Sequence, residues 1–208
     1  MIDFMPDFTL ETELGCRVAG VDEVGRGPWA GPVVAAAVIL DAARIPEGLN
    51  DSKKLSKARR EALFPILFDC TVIGIGQASV EEIDEINILQ ASFLAMQRAI
   101  DALPTTPQHL LIDGNRLPKN LPCPATAVIK GDGKCLSIAA ASIVAKVTRD
   151  QIMADLAENF PDYGWARNAG YGTAQHRQAL DLVGVSPHHR KSFAPIHRLM
   201  TQESVATD

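Results

Sequence analysis

The sequence predicts an α/β fold with a mixed five-stranded sheet flanked by helices, and three observations carry the prediction. Three apolar runs come early, Val18–Asp22, Val33–Leu40 and Thr71–Ser79, each rich in β-branched residues or bounded by turn residues; they read as the start of a meander. Two more, His109–Ile112 and Ala125–Lys130, follow a helical stretch and lead into Asp113-Gly114 and Gly131-Asp132-Gly133. The longest helical segment, Ser137 to Asn159, comes after them. Three strands, helices, strand, strand, helix is an order that yields a mixed sheet with helices against it.

The segments between are read by their caps and breakers. Ser56 can cap a helix through Ala62, which Pro65 is expected to kink or end, because proline has no N–H to give and its ring crowds the preceding turn. Val80 to Asn87 reads as a short acidic helix or turn. From Ile88 to Leu103, apolar Leu89, Phe93, Met96 and Ile100 recur at helical spacing, and Pro104 and Pro107 close the segment. The helix from Ser137 opens on small residues, Ala139 to Ser142, that allow close packing on a sheet, and it carries Lys146 and Arg149 three apart. Thr173 caps a shorter helix through Val183. From Gly184 the pattern is irregular and basic. The expected division is therefore one main domain, 1–183, with a small helical C-terminal extension, 184–208, on or beside it and a frayed end at Gln202–Asp208.

Composition narrows the function. At 208 residues the chain can bury a full core. Asp3 and Asp7, with no early Lys or Arg, do not make a secretory signal, and apolar runs such as Val33–Leu40 are too short to span a bilayer. Cys16, Cys70, Cys123 and Cys135 are scattered, with no C-x-x-C pair, which disfavours zinc and fits reduced thiols in the cytoplasm. The net charge of −5 argues against a general nucleic-acid coat protein but not against a nuclease, since basic residues gather locally. Lys53, Lys54, Lys57, Arg59 and Arg60 form one gathering; His188, His189, Arg190, Lys191, His197 and Arg198 form another. Each is either a solvated face or a phosphate-contacting patch.

The chemistry concentrates at residues 20–28, Gly-Val-Asp-Glu-Val-Gly-Arg-Gly-Pro. An apolar run delivers Asp22 and Glu23 to a glycine-rich loop carrying Arg26. Carboxylates suit hard divalent cations, and a Gly-Arg-Gly loop lets backbone N–H groups approach a phosphate or sugar. A solvated turn would look similar. So would a dinucleotide fingerprint, Gly25, Gly27 and Ala30 fitting G-x-G-x-x-A, but that motif needs a helix and then a second strand. Pro28 and Gly31-Pro32 leave no room for both, so two strands joined by a loop fit better. Asp113 and Asp132 add acids at two more strand ends. Asp-Gly is also ordinary turn chemistry, but acids converging on one sheet edge repel unless cations neutralise them, as a two-metal site does.

Across nearly its whole length the chain resembles the type 2 ribonucleases H of bacteria. The matching segments are GVDEVGRGPWAGPVVAAAVIL, LNDSKKLS, EIDEINIL, LLIDGN, VIKGD, SIAAASIVAKVTRD, GYGT and HHRKSF, in the family's order. The resemblance implies a ribonuclease H-like fold and an endoribonuclease acting on RNA/DNA hybrids and on DNA duplexes that contain ribonucleotides. Cleavage 5′ of a ribonucleotide, with Mg²⁺ or Mn²⁺ and two ions per active site, would leave 3′-hydroxyl and 5′-phosphate ends. The metal carboxylates it implies are Asp22, Glu23, Asp113 and Asp132. Gly25, Arg26 and Gly27 would read the ribose 2′-hydroxyl, the group that separates RNA from DNA. Tyr171 would stack on the following sugar, and Lys53, Lys146 and Arg149 would lie near phosphates. A monomer without membrane association is expected; no clamp-binding box is evident at the C-terminus. The chain departs from the family at Cys135, where serine is frequent after KGD, at Pro65 inside a helix, and at Ala169, where lysine is common before GYGT. The alternatives are a hybrid-specific ribonuclease without single-ribonucleotide activity and a non-catalytic junction-binding module.

Overall fold

The computed structural model describes residues 5–205, so Asp3 and residues 206–208 lie outside it. The chain forms two compact units, one of residues 1–24, 34–77 and 92–147, the other of 25–33, 78–91 and 148–208.

The first unit holds the sheet. Strands β1 (Val18–Val24), β2 (Val33–Ile39), β3 (Val72–Ala78), β4 (His109–Asp113) and β5 (Ala125–Val128) lie in the order β3-β2-β1-β4-β5. β1 pairs antiparallel with β2 and parallel with β4, and β4 is parallel to β5. The sheet is therefore mixed, and the strand–loop–strand reading of residues 18–40 holds. β2 is buried along its whole length, which explains its unbroken apolar run of small and β-branched residues. A short helix α1 (Thr9–Leu14) precedes β1 and was not read from the sequence. Its buried Glu11 accepts from the N–H (2.9 Å) and the hydroxyl (2.6 Å) of Ser137.

Helices meet the sheet where side chains are smallest. A Cβ on Gly20 of β1 would lie 2.2 Å from the Ser137 carbonyl carbon and 2.3 Å from the Ile138 nitrogen, at the start of α4 (Leu136–Asn159). Gly74 and Gly76 of β3 similarly face the backbone at Ala99 and Ala95. Helix α2 (Lys57–Cys70) is capped by Ser56, whose hydroxyl accepts from the Arg59 N–H, but it continues past Pro65 to Cys70 rather than ending near Ala62. Pro65 and Glu61 are exposed, so water can satisfy the Glu61 carbonyl that the proline leaves without a donor, while Leu63 and Leu67 anchor the opposite face. The two-piece reading of 80–103 is also physical. Helix α3 (Val80–Asp101) breaks at Asn87, at φ 67° and ψ 163°, whose side chain accepts from the Leu89 and Gln90 N–H groups and caps the second piece.

The second unit is built around an aromatic cluster. Trp165 and Tyr163 stack at 4.8 Å, beside Ala30, Met153, Leu180 and Ile196. It contains the single-turn α5 (Trp165–Asn168), α6 (Ala174–Val183) capped by Thr173, and α7 (Ala194–Val205). Residues 194–205 are thus one regular helix, where the sequence from Gly184 read as irregular. No helix among the described residues is long and apolar enough to cross a membrane.

Candidate active site

Topology places the acids. β1, β4 and β5 run parallel, so their C-terminal ends share one edge of the sheet. Val21 pairs with Ile112, which sets Asp22 and Asp113 side by side one residue further on, and Asp113 is in register with Val128 at the end of β5. The chain then turns through Lys130, at φ 57°, into a short 3-10 turn, Gly131–Gly133, that holds Asp132. Asp113 locks this turn: its Oδ1 accepts from the Gly131 N–H at 2.6 Å. A Cβ at Gly131 would meet Ile138 Cδ1 at 2.5 Å, so any larger residue there would require that side chain to shift.

The acids feel each other. Asp22 is 7% exposed, and burial holds its carboxyl well above the usual range, reinforced by the charges of Glu23, Asp113 and Asp132. One opposing bond exists, from the Glu23 N–H to Asp22 Oδ1 at 2.7 Å. Neighbouring strand residues point to opposite faces, yet Glu23 is the strongest charge acting on Asp22, so the end of β1 brings both acids into one electrostatic environment. Burial also raises Asp132, followed by Asp51, whose side chain also hydrogen-bonds it, and by Asp113. Lys53 offsets this from 3.8 Å while its own side chain stays 83% exposed. Burial would lower the Lys53 ammonium, but the surrounding acids Asp51, Asp132, Asp22 and Asp113 outweigh it and raise its pKa. Asp51 is a fifth acid that sequence reasoning passed over. Its signal was present in LNDSKKLS, an acid two residues before Lys53.

Divalent cations fit this chemistry. Several carboxylates gather at one sheet edge, two of them, Asp22 and Asp132, buried, and the solvent-facing Lys53 ammonium lies 3.8 Å from Asp132. Among the described residues no three His, Cys, Asp or Glu side chains close around one point.

Other expected contacts sort differently. In the second unit Gly25 is buried, whereas Arg26 and Gly27 are exposed. Tyr171 is 49% exposed, and its ring lies 3.3 Å from where a Gly27 Cβ would be. Lys146 is half-buried in the first unit. Arg149 is not available to phosphate. Only 1% exposed, it donates to the carbonyls of Pro32 (2.9 Å), Ala169 (2.9 Å) and Ala30 (3.0 Å). The second basic gathering is likewise partly internal, with His189 and Arg190 fully buried. In the first, Arg59 donates to the Glu47 carbonyl and Arg60 to those of Ser52 and Leu55, so both act as loop staples. Cys135 is a core residue, its thiol pushed up to about 12 chiefly by burial.

A family model described as Ribonuclease HII matches residues 19–197. A ribonuclease HII of Ruegeria pomeroyi is 62% identical over 202 residues, 95% of this chain and 86% of its own length. One from a Jannaschia species is 61% identical, over 94% of this chain and 98% of its own. Among solved structures, the ribonuclease H2 of Pyrococcus horikoshii superposes with a TM-score of 0.74 at 29% identity, covering 89% of this chain and 98% of that one. The RNase HII of Archaeoglobus fulgidus, solved in complex with PCNA, gives 0.67 at 29%, covering 84% and 93%. Bst-RNase HIII, solved with Mn²⁺, shares the fold at 0.69 and 18%, covering 89% and 70%. The mixed-sheet fold shared with these neighbours, together with the family match over residues 19–197, defines a hydrolase of the ribonuclease H class. Within that class the chain belongs to the ribonuclease HII family. It is accordingly a ribonuclease H, an endonuclease for RNA/DNA substrates, and metal dependence is general in the family.

Proposed function

We propose that this enzyme hydrolyses the RNA strand of RNA/DNA duplexes and also cuts 5′ of a single ribonucleotide embedded in duplex DNA, leaving 3′-hydroxyl and 5′-phosphate ends. The observation that carries the reading is Asp22, buried and held above its usual pKa among Glu23, Asp113 and Asp132. Such a group favours whatever brings positive charge to it. Asp22, Glu23, Asp113 and Asp132 would hold Mg²⁺ or Mn²⁺, two ions per site, which when bound would supply Lewis-acid stabilisation of the charge that develops during phosphodiester hydrolysis. Asp113 would hold its orientation through the Gly131 N–H, and Lys53 would limit the repulsion on Asp132. The N–H groups of the Gly25-Arg26-Gly27 loop would recognise the 2′-hydroxyl, and Tyr171 would rest on the sugar that follows. Lys53 and Lys146 would face phosphates. We further assign a cytoplasmic monomer with 1–183 as the catalytic portion and 184–208 as its basic extension.

The test is cleavage of a labelled DNA duplex carrying one ribonucleotide, with Mg²⁺ and with EDTA, and identification of the new ends. A single cut 5′ of the ribonucleotide, absent under EDTA, is expected. Cleavage of a continuous hybrid only would replace this reading with a hybrid-specific ribonuclease.

A further inference from the structure

The loop between β1 and β2 is held by a cation whose chemistry the substrate does not require. Arg190 is fully buried, yet among the described residues no carboxylate lies at ion-pair distance from it. Asp84, which accepts from the N–H groups of Lys191 and Ser192, is the acid whose field it feels. A buried guanidinium is costly unless its donors are satisfied. These are satisfied almost wholly by one loop. Nη2 donates to the carbonyls of Gly25 (2.6 Å), Gly31 (2.8 Å) and Pro32 (3.2 Å), Nη1 to that of Arg26 (3.1 Å), and Nε again to that of Gly31 (2.9 Å). Phe193 covers the guanidinium, with the ring centroid 5.1 Å from Cζ.

The bonds to Gly25 and Arg26 have a directional consequence. In a trans peptide the C=O and the following N–H point opposite ways, and the described chain contains no cis peptide. Drawing the Gly25 and Arg26 carbonyls inward onto Arg190 therefore turns the N–H groups of Arg26 and Gly27 outward. Burial agrees: Gly25 is buried, Arg26 and Gly27 are exposed. We infer that Arg190 is the positioning residue for recognition of the ribose, fixing two backbone donors toward the 2′-hydroxyl without touching substrate. The inference rests on the proposed function for what the donors meet. Arg190 reaches four carbonyls from three nitrogens spread over a rigid planar fork, whereas an ammonium has three donors on one nitrogen and cannot span them all. Arg149 is the comparison. It too is buried and bonded to carbonyls, those of Ala30, Pro32 and Ala169, and it packs against Gly25 without hydrogen-bonding the carbonyl of Gly25 or of Arg26.

The experiment measures binding in the Asp22→Asn background, so that no cleavage intervenes, to two Mg²⁺-containing duplexes: one with a single ribonucleotide and its all-DNA counterpart. Arg190→Lys should reduce the preference for the ribonucleotide duplex by about tenfold, the scale of one or two misaligned hydrogen bonds, and leave all-DNA binding within about twofold. Arg149→Lys should lower thermal stability and keep the preference. A preference retained in Arg190→Lys, or lost equally in both variants, would reduce Arg190 to packing and overturn the inference. If the parent shows no preference, the proposed function itself has failed. Should Arg190→Lys not fold, amide exchange in the parent decides. The Arg26 and Gly27 amides should be protected by the ribonucleotide duplex and not by all-DNA; equal protection by both would overturn the assignment.

Discussion

The second unit contains a buried histidine pair whose hydrogen bonds can be satisfied in only one protonation state, and its stability should therefore report pH. His176 Nδ1 faces the Tyr171 carbonyl at 3.0 Å, so that nitrogen carries a proton and donates. His176 Nε2 is then an acceptor, from Trp165 Nε1 at 3.3 Å and from His189 Nε2 at 2.9 Å. His189 Nδ1 in turn accepts from the Ser186 N–H at 3.0 Å and its hydroxyl at 2.8 Å. Both rings must be neutral. Adding a proton to either one sets two donors against each other. Trp29, Tyr163 and Trp165 pack around the pair and offer no compensating anion. Burial, then His176, lowers His189 to about 4, and burial lowers His176 as well. The sign follows from linkage. A histidine depressed in the folded state contributes stability that is present above its unfolded value of about 6.5 and is lost as pH falls toward the folded one. For His189 alone, lowering pH from 7 to 5 should remove about 2 kcal/mol, or roughly 4–8 °C in Tm for a chain of this size. The assay is urea unfolding of the wild type and His189→Gln at both pH values. Other titrations cancel in the difference, so the stability gap between the two proteins should narrow by about 2 kcal/mol at pH 5. A gap that stays constant would show that the pair does not titrate as neutral donor and acceptor.

Asp22→Asn should abolish cleavage and yet raise the stability of the metal-free protein by about 0.5–2 kcal/mol, because it removes a charge from a buried cluster of like charges. The sign is set by the raised carboxyl, whose stabilising neutral form is lost as pH rises through its folded-state pKa; a lower Tm in EDTA would contradict it. Gly20→Ala should cost about 3 kcal/mol or more, since the added methyl meets backbone atoms of α4 rather than a movable side chain; urea unfolding within about 1 kcal/mol of wild type would mean that helix and strand can separate freely there. Tyr171→Ala should slow cutting of the single-ribonucleotide duplex by about fivefold and the continuous hybrid less, with Tyr171→Phe closer to wild type; equal slowing of both substrates would make Tyr171 a packing residue. Neutralising Lys53 and Lys54 together should weaken all duplexes about equally and flatten the salt dependence of binding, read by titration at several ionic strengths.

The features legible in the sequence were those decided locally. A strand ending in an acid announces itself by an apolar run and a following glycine, which is why Asp22, Asp113 and Asp132 could be placed on strand ends or the turn beyond before any pairing was known. Their shared edge was not local. It depends on β1, β4 and β5 being parallel, and nothing near Asp22 encodes that. Pro65 misled because helix propensity was weighed without knowing which face meets water. The basic residues were the least legible, for a related reason. HHRKSF reads as one charged patch, yet Lys191 is exposed while His189 and Arg190 are wholly inside. A cation turned inward and one turned outward have the same letter, and the acceptors that make burial tolerable for Arg190 are backbone carbonyls at Gly25, Arg26, Gly31 and Pro32, which no side-chain pattern reveals. The glycines of that loop are the sequence trace of this arrangement. Gly25 and Gly31 sit at φ 96° and 81°, and a Cβ on Gly25 would strike the Arg149 guanidinium at 2.2 Å. The Gly-Arg-Gly signature thus reflects two demands at once: open access on the outer side, and on the inner side a backbone bare enough for buried guanidinium groups to reach its carbonyls.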